Sequence, residues 1–426
     1  MAVNTTFGSG GATVPQGSGG AIPAGQAANV SRDPRGSGGG SGGGSGGATY
    51  LPFTLVDGFA NPLNASAMTT SREGIIDPLD TEPYDCIPND FPSVHLNDAK
   101  DEEAIAVADR LNRWDPWVRT YLGIQELLRP VTFTAVGADT VHVGIRSDNC
   151  KLRATLCTLV RPRRALFVSE LSAVLVDAEL RAERTAEILT QIDTQFSLWA
   201  AVLPIRAQSA SATMAMMEIV TQLTVFVEMR LKNDFACSRP YEYSPEIQPL
   251  ITTPGHGCYP MGHAAQTFAV ARLLSILTGS RARLDEQLYS LAWRIAGNRI
   301  VAGVHFPVDR VAGAFLGLAM ADYLAHVGRG QPVHKPFTFD PKDKALQVLE
   351  GSWGAVVAAY APAAVSKPGT YIVDSPIVRS LWKGAEQNWH CPKSTDVSAL
   401  AEAQATTMVP PAGIEVTSDT NQGKDK

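Results

Sequence analysis

Six side chains that carry or can acquire charge stand in three short groups between positions 232 and 309. They read Lys232-x6-Arg239-Pro240, then Pro260-Met261-Gly262-His263, then Asn298-Arg299-x5-His305-x3-Asp309. The segments around them have the apolar spacing of core helices. Buried ionic groups require partners, and a multiply charged oxyanion satisfies three fixed cations together. The groups therefore point to a phosphate-shaped ligand.

Helical spacing places these residues on apolar lines. Val225, Met229 and Lys232 share one face, and His263 heads the line Thr267, Val270, Leu274, Leu277. Leu284, Leu288, Leu291, Ile295 and Arg299 form a third line. Asp309 opens a fourth with Ala312, Leu316, Met320 and Tyr323. Taken singly, each polar residue reads as structural, because a lone Arg snorkels outward and a lone His is commonly a satisfied core residue. Four such positions in one stretch favour convergence on a site.

Composition narrows the class. The 426 residues are 45% hydrophobic and 18% charged, with a formal net charge of -6. Such a balance speaks against a nucleic-acid-binding surface. The six cysteines, Cys86, Cys150, Cys157, Cys237, Cys258 and Cys391, contain no CxxC pair. Free thiols in a reducing compartment are the expectation. The first residues have neither a basic start nor an apolar core, so no signal peptide is expected and the location reads as cytoplasmic or unknown. The apolar run over residues 311–321 stops at Asp322, and no membrane span is expected.

Residues 1–48 are rich in Gly, Ser, Ala and Pro, with only Gly and Ser from 36 to 47. A disordered tether is expected there, and a disordered polar tail over 396–426. Between them, 49–395 reads as one mainly α domain with its motif core at 165–326. Helices are predicted at 101–113, 115–128, 165–203, 210–232, 263–278, 283–300 and 308–326. A possible small β-hairpin lies near 131–161, pairing 131–146 with 152–161.

The three groups resemble the signature shared by type 2 phosphatidic acid phosphatases, bacterial class A acid phosphatases and vanadium-dependent haloperoxidases. That pattern is K-x6-R-P, then P-S-G-H, then S-R-x5-H-x3-D. The chain departs from it at Met261 and Asn298, where the family has Ser. The resemblance implies a helical bundle of the PAP2/haloperoxidase type that cradles vanadate, for which phosphate is a mimic. It implies that Lys232, Arg239 and Arg299 neutralise equatorial oxygens and that the N–H of Gly262 adds a donor. His305 would bind vanadium, or attack phosphorus in a phosphatase. Asp309 would fix its tautomer, and His263 would act as the acid–base group. Lys232 would also polarise bound peroxide.

His256 lies seven residues before His263, in Thr253-Pro254-Gly255-His256-Gly257-Cys258-Tyr259-Pro260. Bromoperoxidases of the family carry His at this offset, so His256 is a halide-site candidate by resemblance. The implied function is oxidation of bromide or iodide by hydrogen peroxide. A soluble acid phosphatase acting on a small phosphoester through a phosphohistidine is the alternative. A weakened oxyanion-binding homologue is another, since a thioether at 261 cannot donate the hydrogen bond of a Ser. A homodimer is expected by analogy with helical members.

Overall fold

A computed structural model describes residues 111, 114, 116–147, 149–192, 195–332, 337–342, 351–360 and 371–389. The expected helix at 101–113 and the two terminal segments fall outside them, apart from Leu111. Division of the chain into compact units falls after Asn388, so nearly everything described belongs to the first unit.

The chain order is α1 (Pro116–Leu128), β1 (Val131–Val136), β2 (Thr140–Arg146), β3 (Leu152–Val160), α2 (Arg164–Ala178), α3 (Arg181–Thr190) and α4 (Phe196–Val202). Then follow α5 (Ala207–Phe235), α6 (Pro240–Tyr243), a 3-10 turn (Pro245–Ile247), α7 (Gly262–Leu277), α8 (Ala282–Val301) and α9 (Pro307–Gly328). β4 (Phe337–Phe339), α10 (Trp353–Tyr360) and α11 (Pro376–Gln387) complete it. The fold is mainly α with a small sheet, as the sequence implies.

Helix α7 is the central helix of the described bundle. Nearly every residue from Gly262 to Leu277 is buried, as expected of a helix that is apolar on all sides. Helices α5, α8 and α9 pack around it, while α1 and α11 lie against α5. Gly313 and Gly317 let α9 approach closely. A Cβ at Gly313 would sit 2.3 Å from the Met261 carbonyl oxygen, and one at Gly317 would sit 2.1 Å from that of Ala265. The start of α7 is thereby pressed against α9, and the second and third groups of the signature meet.

The β region is richer than the expected pair. Residues 131–146 themselves fold into a hairpin, with Val131 opposite Ile145, and β3 adds antiparallel to β2. β4 then joins β3 in parallel. The Tyr259 hydroxyl donates to the Val160 carbonyl at 2.9 Å, tying the end of β3 to the loop before α7.

The region 165–203 is likewise broken into α2, α3 and α4 rather than one long helix. No Gly or Pro marks the first break. It places Arg181 so that its guanidinium donates to the carbonyls of Val301, Gln248 and Ile247, which anchors the end of α8.

Two helices among the described residues are long and apolar enough, by length and composition, to cross a bilayer, which the expectation of no membrane span does not anticipate. The stretches Ser209–Tyr243, which takes in α5 and α6, and Pro307–Gly328 are both apolar over a sufficient length. Within the fold, 72% and 89% of those windows are buried against the rest of the protein. Length and hydropathy are shared by core helices and membrane spans, so neither location follows from them.

Candidate active site

The loop after α8 returns the chain over its own last turn: the Val304 N–H donates to the Arg299 carbonyl. His305 thereby follows Arg299 into the interior, just ahead of α9. Asp309, in the first turn of α9, accepts from the Phe306 N–H at 2.9 Å and lies 3.0 Å from His305 Nδ1. A carboxylate at this distance holds the ring proton on Nδ1 and leaves Nε2 with its lone pair. Burial first, then Arg239 and Lys232, keep the His305 pKa well below the usual histidine range. Burial raises Asp309 to about 6, against the Phe306 N–H and the charge of Lys232. The pair at neutral pH is therefore a neutral imidazole oriented by a carboxylate.

The three cations have different surroundings. Lys232, in the last turn of α5, donates to the carbonyls of Gly257, Cys258 and Pro260 at 3.1, 3.1 and 2.6 Å. All three of its N–H bonds thus hold the loop before α7, because buried carbonyls need donors. Arg239, at the start of α6, donates from Nε to the His256 carbonyl at 3.0 Å and from Nη1 to that of Val304 at 2.7 Å. The same Nη1 lies 3.4 Å from His305 Nε2.

Arg299 differs from both. Its Nη2 donates to the Ile188 carbonyl at 2.9 Å and to Gln191 Oε1 at 3.2 Å. Nε and Nη1 have no partner, although the residue is 0% exposed. Burial lowers its pKa to about 10, and no carboxylate compensates.

His263, in the first turn of α7, has Nε2 at 2.9 Å from the Gln191 carbonyl. A carbonyl only accepts, so Nε2 carries the proton and Nδ1 the lone pair. That Nδ1 is buried without a partner. Burial, and then the positive charge of Arg299, hold the ring well below the usual range. Gln191 therefore meets both Arg299 and His263, a relation no sequence pattern announces. Asn298, in the family's Ser position, faces the same place: its amide donates to Glu187 Oε2 at 3.1 Å and to Gln191 Oε1 at 3.0 Å.

Met261 stands at the cap of α7 with extended backbone and no side-chain cap bond. Its own N–H donates to the Asp309 carbonyl at 3.0 Å, and its carbonyl accepts from Ala265. The N–H groups of residues 262–264 thus precede the first intrahelical bond, at the positive end of the helix dipole.

His256 lies beside Arg239, with Nδ1 3.2 Å from Nη2 and 3.1 Å from the Gly257 carbonyl. Its Nε2 is buried without a partner. Burial above all, followed by Lys232, depresses its pKa to about 4. Cys237 and Cys258 are free thiols flanking this loop, and burial raises Cys237 to about 12, which leaves it inert. Sequence reasoning missed Glu228, which is 0% exposed and one turn before Lys232.

Among the described residues, no group of three or more His, Cys, Asp or Glu side chains is arranged to hold a metal ion. A tetrahedral oxyanion makes other demands: donors with positive charge and, for vanadate, an imidazole lone pair. The two unpartnered N–H groups of Arg299, the uncapped start of α7 and His305 Nε2 fit those demands.

Residues 209–330 match the model of the PAP2 superfamily. A search of curated proteins finds none that matches the chain.

Proposed function

We propose, for a chain that carries a PAP2-superfamily domain over residues 209–330, that it oxidises halide with hydrogen peroxide, using vanadate bound as an oxyanion. Membership in that superfamily supports haloperoxidase-like or phosphatase-like chemistry. The observation that carries the oxyanion is Arg299, a buried cation with two unpartnered donors and no carboxylate beside it. An uncompensated buried charge is strongly unfavourable, and an anion across Nε and Nη1 would relieve it.

Bound vanadate supplies a Lewis acid at which peroxide becomes electrophilic towards halide, with no change in the metal's oxidation state. The chain does the rest. His305 would ligate through Nε2, and Asp309 keeps the proton on the other ring nitrogen. His263 Nδ1 is free to accept a proton from peroxide and return it later. Lys232, Arg239 and the start of α7 supply positive potential from fixed positions, which stabilises negative charge without reorganisation. What favours halide over phosphoester is the resemblance at His256, a half-buried neutral ring beside Arg239.

A second reading rests on the same His305. A neutral imidazole held by a carboxylate is also a nucleophile for phosphorus, which would make the protein a phosphomonoesterase acting through a phosphohistidine. A third, an oxyanion-binding homologue with weakened turnover, rests on Met261.

Purified protein loaded with orthovanadate is assayed for bromination of a phenolic dye between about pH 4 and pH 8, the range in which histidine-dependent steps change. Halogenation supports the first reading. Release of phosphate from an aryl phosphate, inhibited by vanadate and lost in His305→Ala, supports the second. Vanadate binding with neither activity supports the third.

A further inference from the structure

We propose that the carboxyl group of Glu228, in its protonated form, supplies the oxyanion site with the hydroxyl donor that Met261 lacks. The inference rests on the oxyanion reading above and deepens it.

Three observations carry it. Glu228 reaches from α5 to the start of α7: a Cβ built on Gly262 would lie 2.4 Å from Oε1 and 2.9 Å from Oε2. The carboxyl group thus covers the side-chain position of the residue whose N–H faces the expected anion. Second, Glu228 is 0% exposed and neither oxygen makes a hydrogen bond of good geometry, the Gln266 side chain lying beside it. Third, Met261, the residue before Gly262, is 0% exposed and makes no cap bond, so the motif's donor is missing one residue from the glycine that the carboxyl group covers.

A buried carboxyl group with only the Gln266 side chain beside it is costly unless it is neutral or is met by a ligand. Burial raises Glu228 to about 8, against the lowering effects of Lys232 on the same helix, Gln266 of α7 and Arg239 at the head of α6. Lys232 directs its three N–H bonds to carbonyls and makes no close ion pair with it. At neutral pH the group is then mainly the acid, with one O–H to donate. The ionised form would repel an anion. A carboxylic acid thereby takes the place of a serine hydroxyl and adds a sensitivity to pH that a hydroxyl lacks.

The test is calorimetric titration of the full chain with inorganic phosphate, at about pH 7 and about pH 9, on either side of the raised acid pKa. Glu228→Gln keeps a donor and cannot ionise, so at the lower pH it is expected to bind within about threefold of the wild type, whereas Glu228→Leu is expected to weaken binding tenfold or more, as for loss of a hydrogen bond to a charged group. Adding Met261→Ser to Glu228→Leu is expected to restore binding. At the higher pH the wild type is expected to fall about tenfold relative to Glu228→Gln, because its carboxylate then faces the anion.

Unchanged binding by Glu228→Leu overturns the proposal, as does a failure of Met261→Ser to rescue it. Should circular dichroism show Glu228→Leu unfolded, the Glu228→Gln comparison decides, and equal ratios to wild type at both pH values overturn the proposal. No phosphate binding by the wild type overturns the oxyanion reading itself, and this inference with it.

Discussion

His305 Nδ1 lies 3.0 Å from Asp309 Oδ2, and that carboxylate oxygen also receives the Phe306 N–H at 2.9 Å. One oxygen therefore closes the first turn of α9 and fixes the tautomer of the imidazole before it. The capping geometry and the chemistry are the same contact.

Asp309→Asn should separate the two roles. An amide can still accept the Phe306 N–H, but it holds the His305 ring with less negative charge. Vanadate affinity is expected to fall by roughly 10- to 100-fold, the usual effect of losing the partner of a ligating histidine. Calorimetric titration with orthovanadate, alongside circular dichroism to confirm the fold, measures it. Unchanged affinity would mean that Asp309 only caps the helix.

Arg299→Met removes a buried charge that the protein itself does not neutralise. Without ligand, this variant is expected to melt no lower than the wild type, and a gain of about 1 kcal/mol is within reach. A structural arginine would behave in the opposite way, since its loss would strand the Ile188 carbonyl and leave Gln191 Oε1 only the Asn298 amide. Differential scanning calorimetry in phosphate-free buffer distinguishes the two.

His256 gives a pH signature of defined sign. Its pKa is depressed to about 4 by burial, Lys232 and Arg239. Between the ordinary histidine value and about 4, the unfolded chain holds a proton that the folded chain does not. The contribution to stability is thus complete above the unfolded value and is lost as pH falls through this window. Urea titrations from neutral to acid pH should show the wild type losing stability more steeply than His256→Gln. Parallel profiles would remove His256 from the account.

The same residue divides the catalytic readings. In a haloperoxidase, His256→Ala is expected to lower bromide turnover about tenfold or more, while phosphate binding, which depends on Arg299, changes by less than about threefold. Equal losses of binding and turnover would instead make His256 a support for Arg239, which it touches at 3.2 Å.

Much of this was legible in the chain because the core helices repeat apolar residues with helical period. The lines headed by His263 and Asp309 lie in α7 and α9, both almost wholly buried. Where side chains carried no period, reading stopped. The break between α2 and α3 has no Gly or Pro, and its visible consequence, the reach of Arg181 to the Val301 and Gln248 carbonyls, is a tertiary contact. β4 is three residues long and owes its pairing to β3, far back in the chain. Gln191 touches Arg299 and His263 only through folding. Glu228 could have been found, since it precedes Lys232 by one turn in a helix otherwise rich in apolar residues, and two opposite charges at that spacing inside a core invite a reason. The geometry also redirects Lys232, whose donors are taken up by the loop over residues 257–260.

The central claim is that Arg299 and His305 together hold an oxyanion. Its most direct test is the vanadium content of the full chain after orthovanadate loading and removal of free ligand by gel filtration. The wild type is predicted to retain an equimolar amount, and Arg299→Met and His305→Ala, both folded by circular dichroism, almost none. A wild type that retains no vanadium, or variants that retain as much as the wild type, would contradict it.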